Sequence, residues 1–162
     1  MTFLDLIPRI LEREGGYINH PADRGGATNY GITQRVYREW KGNPSADVKA
    51  LTKSEASQIY FEHYWKPSKA ALLPESIRDI HFDAAVNHGV GRANKLLQAA
   101  AGVDQDGVIG NKTLEAVNEM DARLLKCRYI AARYKFYGDI VQRDRSQAVF
   151  IAGWMKRMAE FS

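Results

Sequence analysis

The stretch EREGGYINHPADRGGATNYGIT, residues 12–33, interrupts an otherwise helical chain and decides how the rest is arranged. Upstream of it, Phe3, Leu6, Ile7, Ile10 and Leu11 recur at the spacing that lines one face of a helix, and Gly15-Gly16 stops that helix. Thr2 is a candidate cap. Pro8 lies too far inside a helix capped there, which predicts a kink or a start nearer Asp5. From residue 17 to 32 the helical period is absent. Gly, Asn, Asp and Pro supply turns, with Tyr17, Ile18, Tyr30 and Ile32 as strand-like flanks. A small irregular hairpin is the economical expectation, with its tight turn at Gly25-Gly26.

Downstream the pattern is helical throughout. Thr33 is placed to cap a short helix through Val36, Tyr37 and Trp40, ended by Gly42 and Pro44. Thr52-Lys-Ser-Glu55 has capping-box spacing and opens a helix carrying Ile59, Tyr60, His63 and Tyr64, stopped by Pro67. Further helices are expected from Glu75 to His88, from Arg92 to Ala101 and from Thr113 towards Met120. Met120, Leu124, Cys127, Ala131 and Tyr134 mark one face of a long helix ending near Gly138, which predicts a buried, inert Cys127. A final helix runs through Val149, Ala152, Met155 and Met158. The expected fold class is mainly α, with one small β element near the N-terminus. A seam is expected at residues 88–91, where Gly89 and Gly91 break the helix.

Composition bounds the function. At 162 residues, 45% hydrophobic and 26% charged, the chain has the makeup of a folded protein of one unit or two small lobes. No apolar run approaches the roughly 20 residues that span a bilayer. The N-terminus carries Asp5 and lacks a basic leader region, so no secretory signal is expected. One cysteine permits no internal disulfide, consistent with a reducing cytoplasm. Residues 123–162 hold nine Lys or Arg against three Asp or Glu, a net +6, leaving −2 for the rest of the chain. That basic region suggests a polyanionic partner, although a solvated Arg-rich helix face accounts for the charge equally simply. The four histidines are scattered without HExxH or paired Cys, so no metal site is expected. Asp104-Gln-Asp106-Gly107 opens like a calcium loop with Glu115 at its twelfth position, but position 5 is Val108 and Gly110 is not at position 6, so the segment is read as a turn between helices. No G-x-S-x-G or Walker-type loop is present.

Glu14 is the chemically interesting residue of the opening stretch. It is the last residue before the glycine pair, and the partial negative charge at a helix C-terminus disfavours an ionised carboxylate. That suits proton donation, while Arg13 and Arg24 act the other way. A hairpin folding back would bring Asp23 and Thr28 towards Glu14, and a carboxylate and a hydroxyl facing an acid can position a water between them. Those are the parts that glycoside hydrolysis needs. Spacing alone supports a simpler alternative, a helix C-cap and a surface loop with Glu14 and Asp23 solvated.

The residues of this stretch carry a resemblance. Glu14-Gly15-Gly16-Tyr17, Asn19, Pro21, Asp23, Gly25-Gly26, Thr28 and Gly31-Ile32-Thr33 resemble, without departure, the signature of glycoside hydrolase family 108, the phage-type peptidoglycan muramidases. The resemblance implies a lysozyme-like helical fold and makes Glu14 the catalytic acid. The layout is also similar to the T-even phage lysozymes, in which a helix-end Glu is followed by an Asp nine residues on and a Thr in a hairpin. Roles for Asp23 and Thr28 rest on that second likeness. Asn87, Gly89, Leu97-Gln98, Asp106-Gly107, Ile109-Gly110 and Thr113-Leu114 resemble the predicted peptidoglycan-binding region that accompanies family 108 domains.

The resemblances imply a muramidase region at 1–88 and a peptidoglycan-binding-like region at 89–162, packed as one globular unit. They imply an endolysin that cleaves the β-1,4 bond between N-acetylmuramic acid and N-acetylglucosamine. Glu14, Asp23 and Thr28 are the expected catalytic residues. Tyr30, Asn87 and Trp65 are the candidate sugar contacts, because sugar clefts use aromatic faces and amides. Inversion follows if Asp23 and Thr28 hold a water, retention if Asp23 attacks the sugar. The expected partners are peptidoglycan and, through the basic C-terminal region, an anionic membrane surface. A monomer is expected, with no cofactor. An enzyme of this kind would wait in the host bacterial cytoplasm until released to the wall. The rival classes are a non-catalytic peptidoglycan-binding protein and a basic helical nucleic-acid binder; the second leaves the glycine-rich signature unexplained, and no nucleic acid is expected.

Overall fold

A computed structural model describes residues 1–19 and 26–161; His20 and Asp23 lie outside the described residues. Among these, eight α-helices and one two-stranded antiparallel sheet make a mainly α, lysozyme-like helical fold, as the sequence leads one to expect. The chain divides into two compact units, Met1–Pro67 and Ser68–Ser162.

In the first unit, helix α1 spans Phe3–Glu14 and buries Leu6, Ile7, Ile10 and Leu11. It starts at Phe3, not nearer Asp5 as Pro8 suggested. The Asp5 carboxylate accepts from the Thr2 backbone N–H at 2.6 Å and the Thr2 hydroxyl at 2.8 Å, which fixes the start. Those two bonds, the backbone one first, hold the Asp5 carboxyl below its ordinary range. Pro8 removes only the bond that would have reached the carbonyl of Leu4, and Leu4 is 74% exposed, on the side where water replaces it. Gly15 ends the helix at φ +75°, its N–H bonded to Leu11 O.

The turn expected at Gly25-Gly26 falls partly outside the described residues, because Gly25 is not among them. Ile18 and Thr28 exchange backbone bonds of 2.8 and 2.9 Å, and strand β1 (Thr28–Asn29) then pairs with β2 (Ile32–Thr33). The second reversal is made by Tyr30 at φ +48° and Gly31 at φ +72°, a two-residue turn with both central residues left-handed. That geometry matches the twist of the flanking strands. A tyrosine in the left-handed region is unfavourable alone, and two anchors hold it. Asn29, buried, donates to Val48 O at 3.0 Å, and the Tyr60 hydroxyl donates to Tyr30 O at 2.9 Å.

Helix α2 (Gln34–Lys41) is capped by Thr33 and closed by left-handed Gly42. Helix α3 (Lys53–Tyr60) opens with the Thr52–Glu55 capping box. Lys41 and the Thr52 backbone together hold the Glu55 carboxyl at about 2. The segment Phe61–Trp65 is a π-turn rather than a continuation of α3, a phase change that periodicity does not reveal.

The second unit packs α4 (Glu75–His88), α5 (Val90–Ala101) and α7 (Ala122–Arg143) around a core that includes Ile77, Ile80, Phe82, Leu97 and Leu125. Helices α6 (Asn111–Glu119) and α8 (Ile151–Ala159) complete it, with a 3-10 segment over Arg145–Phe150. The buried face of α7 is not the expected one. Leu125, Tyr129, Arg133 and Tyr137 point inward, while Leu124, Cys127, Ala131 and Tyr134 are exposed. The inward face contains an arginine, so counting apolar residues selected its neighbour, and Gly138 does not end the helix. Arg133 is fully buried and pairs with Asp83 at 2.8 Å; Arg157 reaches the other Asp83 oxygen at 2.9 Å.

The turn between α5 and α6 is clamped by buried Gln98. Its Nε2 donates to Asp106 Oδ1 at 2.6 Å, and its Oε1 accepts from the Gly107 N–H at 2.8 Å. Asp106 is therefore spent on the turn, and the Gln98 bond holds its carboxyl below the ordinary range.

Two histidines link this unit to pH. His81 Nε2 lies 3.1 Å from Ser68 O, and its Nδ1 lies 2.8 Å from the Tyr129 hydroxyl, which also reaches Ala93 O at 3.2 Å. Burial pushes His81 down to about 4, and burial with the Arg133 charge does the same to His88. Both lie below the unfolded value of 6.5, so the unfolded chain binds protons first as pH falls. Stability is complete above pH 6.5 and is lost as pH drops towards 4, with a slope of up to about 2.7 kcal/mol per pH unit from the two sites. Urea titrations at pH 7.5, 6 and 5 read this directly. A flat stability across that range would contradict the assignment.

Candidate active site

Glu14 is the C-terminal residue of α1 and is half-buried. The hairpin approaches it through the turn at Tyr30-Gly31. A methyl group placed on Gly31 would meet Glu14 Oε2 at 2.9 Å, Glu14 Cβ at 3.2 Å and the Tyr60 hydroxyl at 2.7 Å. The carboxylate, the phenol and the Gly31 backbone thus converge on one point. Tyr60 and Tyr64 stand one turn apart with ring centroids 5.4 Å apart. Burial, and after it the negative charge of Glu14, push the Tyr64 phenol above its ordinary value, which places Tyr64 within electrostatic reach of the carboxylate.

Gly31 is therefore required twice, by its positive φ and by the space it leaves. Gly31→Ala is expected to displace the Glu14 side chain, with a loss of about 100-fold in activity against purified wall and a modest loss of stability. Wild-type activity in Gly31→Ala would contradict the account of the turn.

The other candidates fall in different surroundings. Thr28 is half-buried, its backbone tied to Ile18 on one side and Thr33 on the other. Asp23 is outside the described residues. Tyr30 borders a groove of about 650 Å³ whose floor includes Ile7 and Leu11 and whose rim includes Glu12 and Lys53. Trp65 is 5% exposed and its ring tilts against Phe3, so it packs the first unit. Asn87 belongs to the second unit, exposed near the end of α4, with Nδ2 donating to Asp83 O at 3.0 Å. Sequence reasoning ranked Tyr60 and Tyr64 behind Tyr30, because aromatics at helical spacing are usually core. Gly31 stood in the signature without a role. Its place beside a tyrosine, where a two-residue turn needs a glycine, was the available signal.

Comparison with known proteins adds the family. The profile described as Glycosyl hydrolase 108 matches residues 7–89, just over half the chain, and that described as Predicted Peptidoglycan domain matches residues 92–159. The solved structure of Brucella abortus SagA is similar over 98% of this chain and 90% of its own, at 39% identity and a TM-score of 0.83. No curated protein matches. A half-buried helix-end glutamate closed in by a glycine turn, on a chain matched by these two profiles, places the protein in the glycosyl hydrolase 108 family, as a glycoside hydrolase that degrades peptidoglycan.

Proposed function

We propose that this enzyme is an N-acetylmuramidase that cleaves the β-1,4 bond between N-acetylmuramic acid and N-acetylglucosamine, with Glu14 as the general acid. The observation that carries the proposal is the enclosure of the Glu14 carboxyl by Gly31 and the tyrosine pair on α3 and the π-turn. Glu14 gives its proton to the leaving glycosidic oxygen as the bond from the sugar C1 to that oxygen breaks. A water attacks C1 from the opposite face and yields a proton to Asp23, with Thr28 orienting the water. The site resets when Asp23 releases its proton to solvent and Glu14 takes one up. Configuration at C1 inverts, because water attacks once and no glycosyl-enzyme forms. Tyr30 offers an aromatic ring to the sugar at the groove that it borders with Gly15 and Gly16, directly after Glu14 in the chain.

Proton NMR of freshly released product tests the water-attack step. The α-anomer should appear first and then mutarotate. A β-anomer at the earliest time point would assign Asp23 as nucleophile, and release of no new reducing end would leave a binding protein.

A further inference from the structure

We propose that the exposed apolar step Val149-Phe150-Ile151 in the second unit is a docking element for an anionic lipid bilayer. The three consecutive side chains are 79%, 53% and 40% exposed. They sit where the 3-10 segment Arg145–Phe150 passes into α8. Exposed apolar side chains are ordinary singly, and three of them in sequence at a helix junction make this the longest such run among the described residues.

The step is presented rigidly. Asp144 accepts from the Ser146 N–H at 3.0 Å, the Ser146 hydroxyl at 2.7 Å and Gln147 at 3.2 Å, which fixes the start of the 3-10 segment. Behind the step, Phe150 lies 6.1 Å from the Trp154 ring, and Trp154 stacks on buried Tyr137 at 4.7 Å. Aromatic contact therefore runs from the core of the unit out to Phe150.

Charge identifies the occupant. Arg143, Arg145 and Lys156 are exposed around the step. Asp139 is paired with Lys135 at 2.8 Å, and Asp144 keeps its charge in the cap, so residues 143–156 carry three cations against one acid, a net +2. A second copy of this chain docking through the same surface would bring these cations together. A glycan would need hydrogen-bonding partners, which Val149 and Ile151 do not have. A bilayer with anionic headgroups satisfies both features at once, taking the apolar side chains into the acyl boundary and the basic ones at its surface.

The proposal does not depend on Glu14. Its test is co-sedimentation of the full chain with vesicles of phosphatidylglycerol and phosphatidylethanolamine, against vesicles of phosphatidylcholine, at low and high salt. Binding should favour the anionic vesicles and weaken with salt. Val149→Asp should weaken it by about tenfold, as should Arg143→Glu with Arg145→Glu. Val149 is the most exposed of the three, so its substitution leaves the fold intact and cleavage of purified wall unchanged. Equal sedimentation with both vesicle types, or wild-type binding by Val149→Asp, would overturn the proposal. So would a Val149→Asp variant that loses only self-association or only binding to purified wall.

Discussion

Glu14→Gln should fold as the parent does and lose 100- to 10,000-fold of its activity on purified peptidoglycan, about the range a positioned general acid supplies. The amide has the shape of the acid and can fill the space between Gly31 and the tyrosines, but it has no proton to transfer. Packing around Gly31 should be preserved, since the amide fills the same space that the glycine leaves open beside Oε2 and Cβ. The loss should therefore fall on kcat with little change in binding to wall. Retention of full activity by a folded Glu14→Gln would remove Glu14 from the chemistry and, with it, the role given to the turn.

The second large effect is on stability. Arg133→Met should cost about 3 kcal/mol or more of unfolding free energy, because it takes from buried Asp83 the guanidinium that lies 2.8 Å away. Asp83 is 2% exposed and cannot recover hydration where it stands. The deletion also removes the cation that lies 5.6 Å from the Phe161 ring and the donor to Ile80 O. Replacing the whole triad, as in Asp83→Leu with Arg133→Met and Arg157→Met, should recover much of the loss, since a buried ion network broken at one member costs more than one exchanged for apolar groups. Chemical denaturation of the three proteins checks this. A change below about 1 kcal/mol in Arg133→Met would mean that the pair does not hold the second unit together.

The features that the sequence made legible are local. Thr33 and the Thr52–Glu55 pair announce their helices by capping chemistry that acts within four residues, and α4 runs from Glu75 to His88 as its pattern indicates. The errors share a different cause. The face of α7 was misread because Arg133 is buried by a partner 50 residues away, and no local pattern declares that an arginine faces inward. The turn at Tyr30-Gly31 went unread because Tyr30 occupies a left-handed conformation that tyrosine alone avoids, and a hydrogen bond from Tyr60 stabilises it from 30 residues away. The π-turn leaves no mark in the period. The candidate site divides along the same line. Glu14 at a helix end before two glycines was legible, whereas its enclosure by Gly31, Tyr60 and Tyr64 is a product of tertiary packing.

Under the proposed function, a proton from Glu14 drives hydrolysis of the bond on the reducing side of N-acetylmuramic acid. Borohydride reduction of digested wall, followed by acid hydrolysis and amino-sugar analysis, tests it most directly. The account predicts that muramitol rises with digestion by the parent enzyme and stays at background with Glu14→Gln. Glucosaminitol in place of muramitol, or muramitol produced equally by Glu14→Gln, would contradict it.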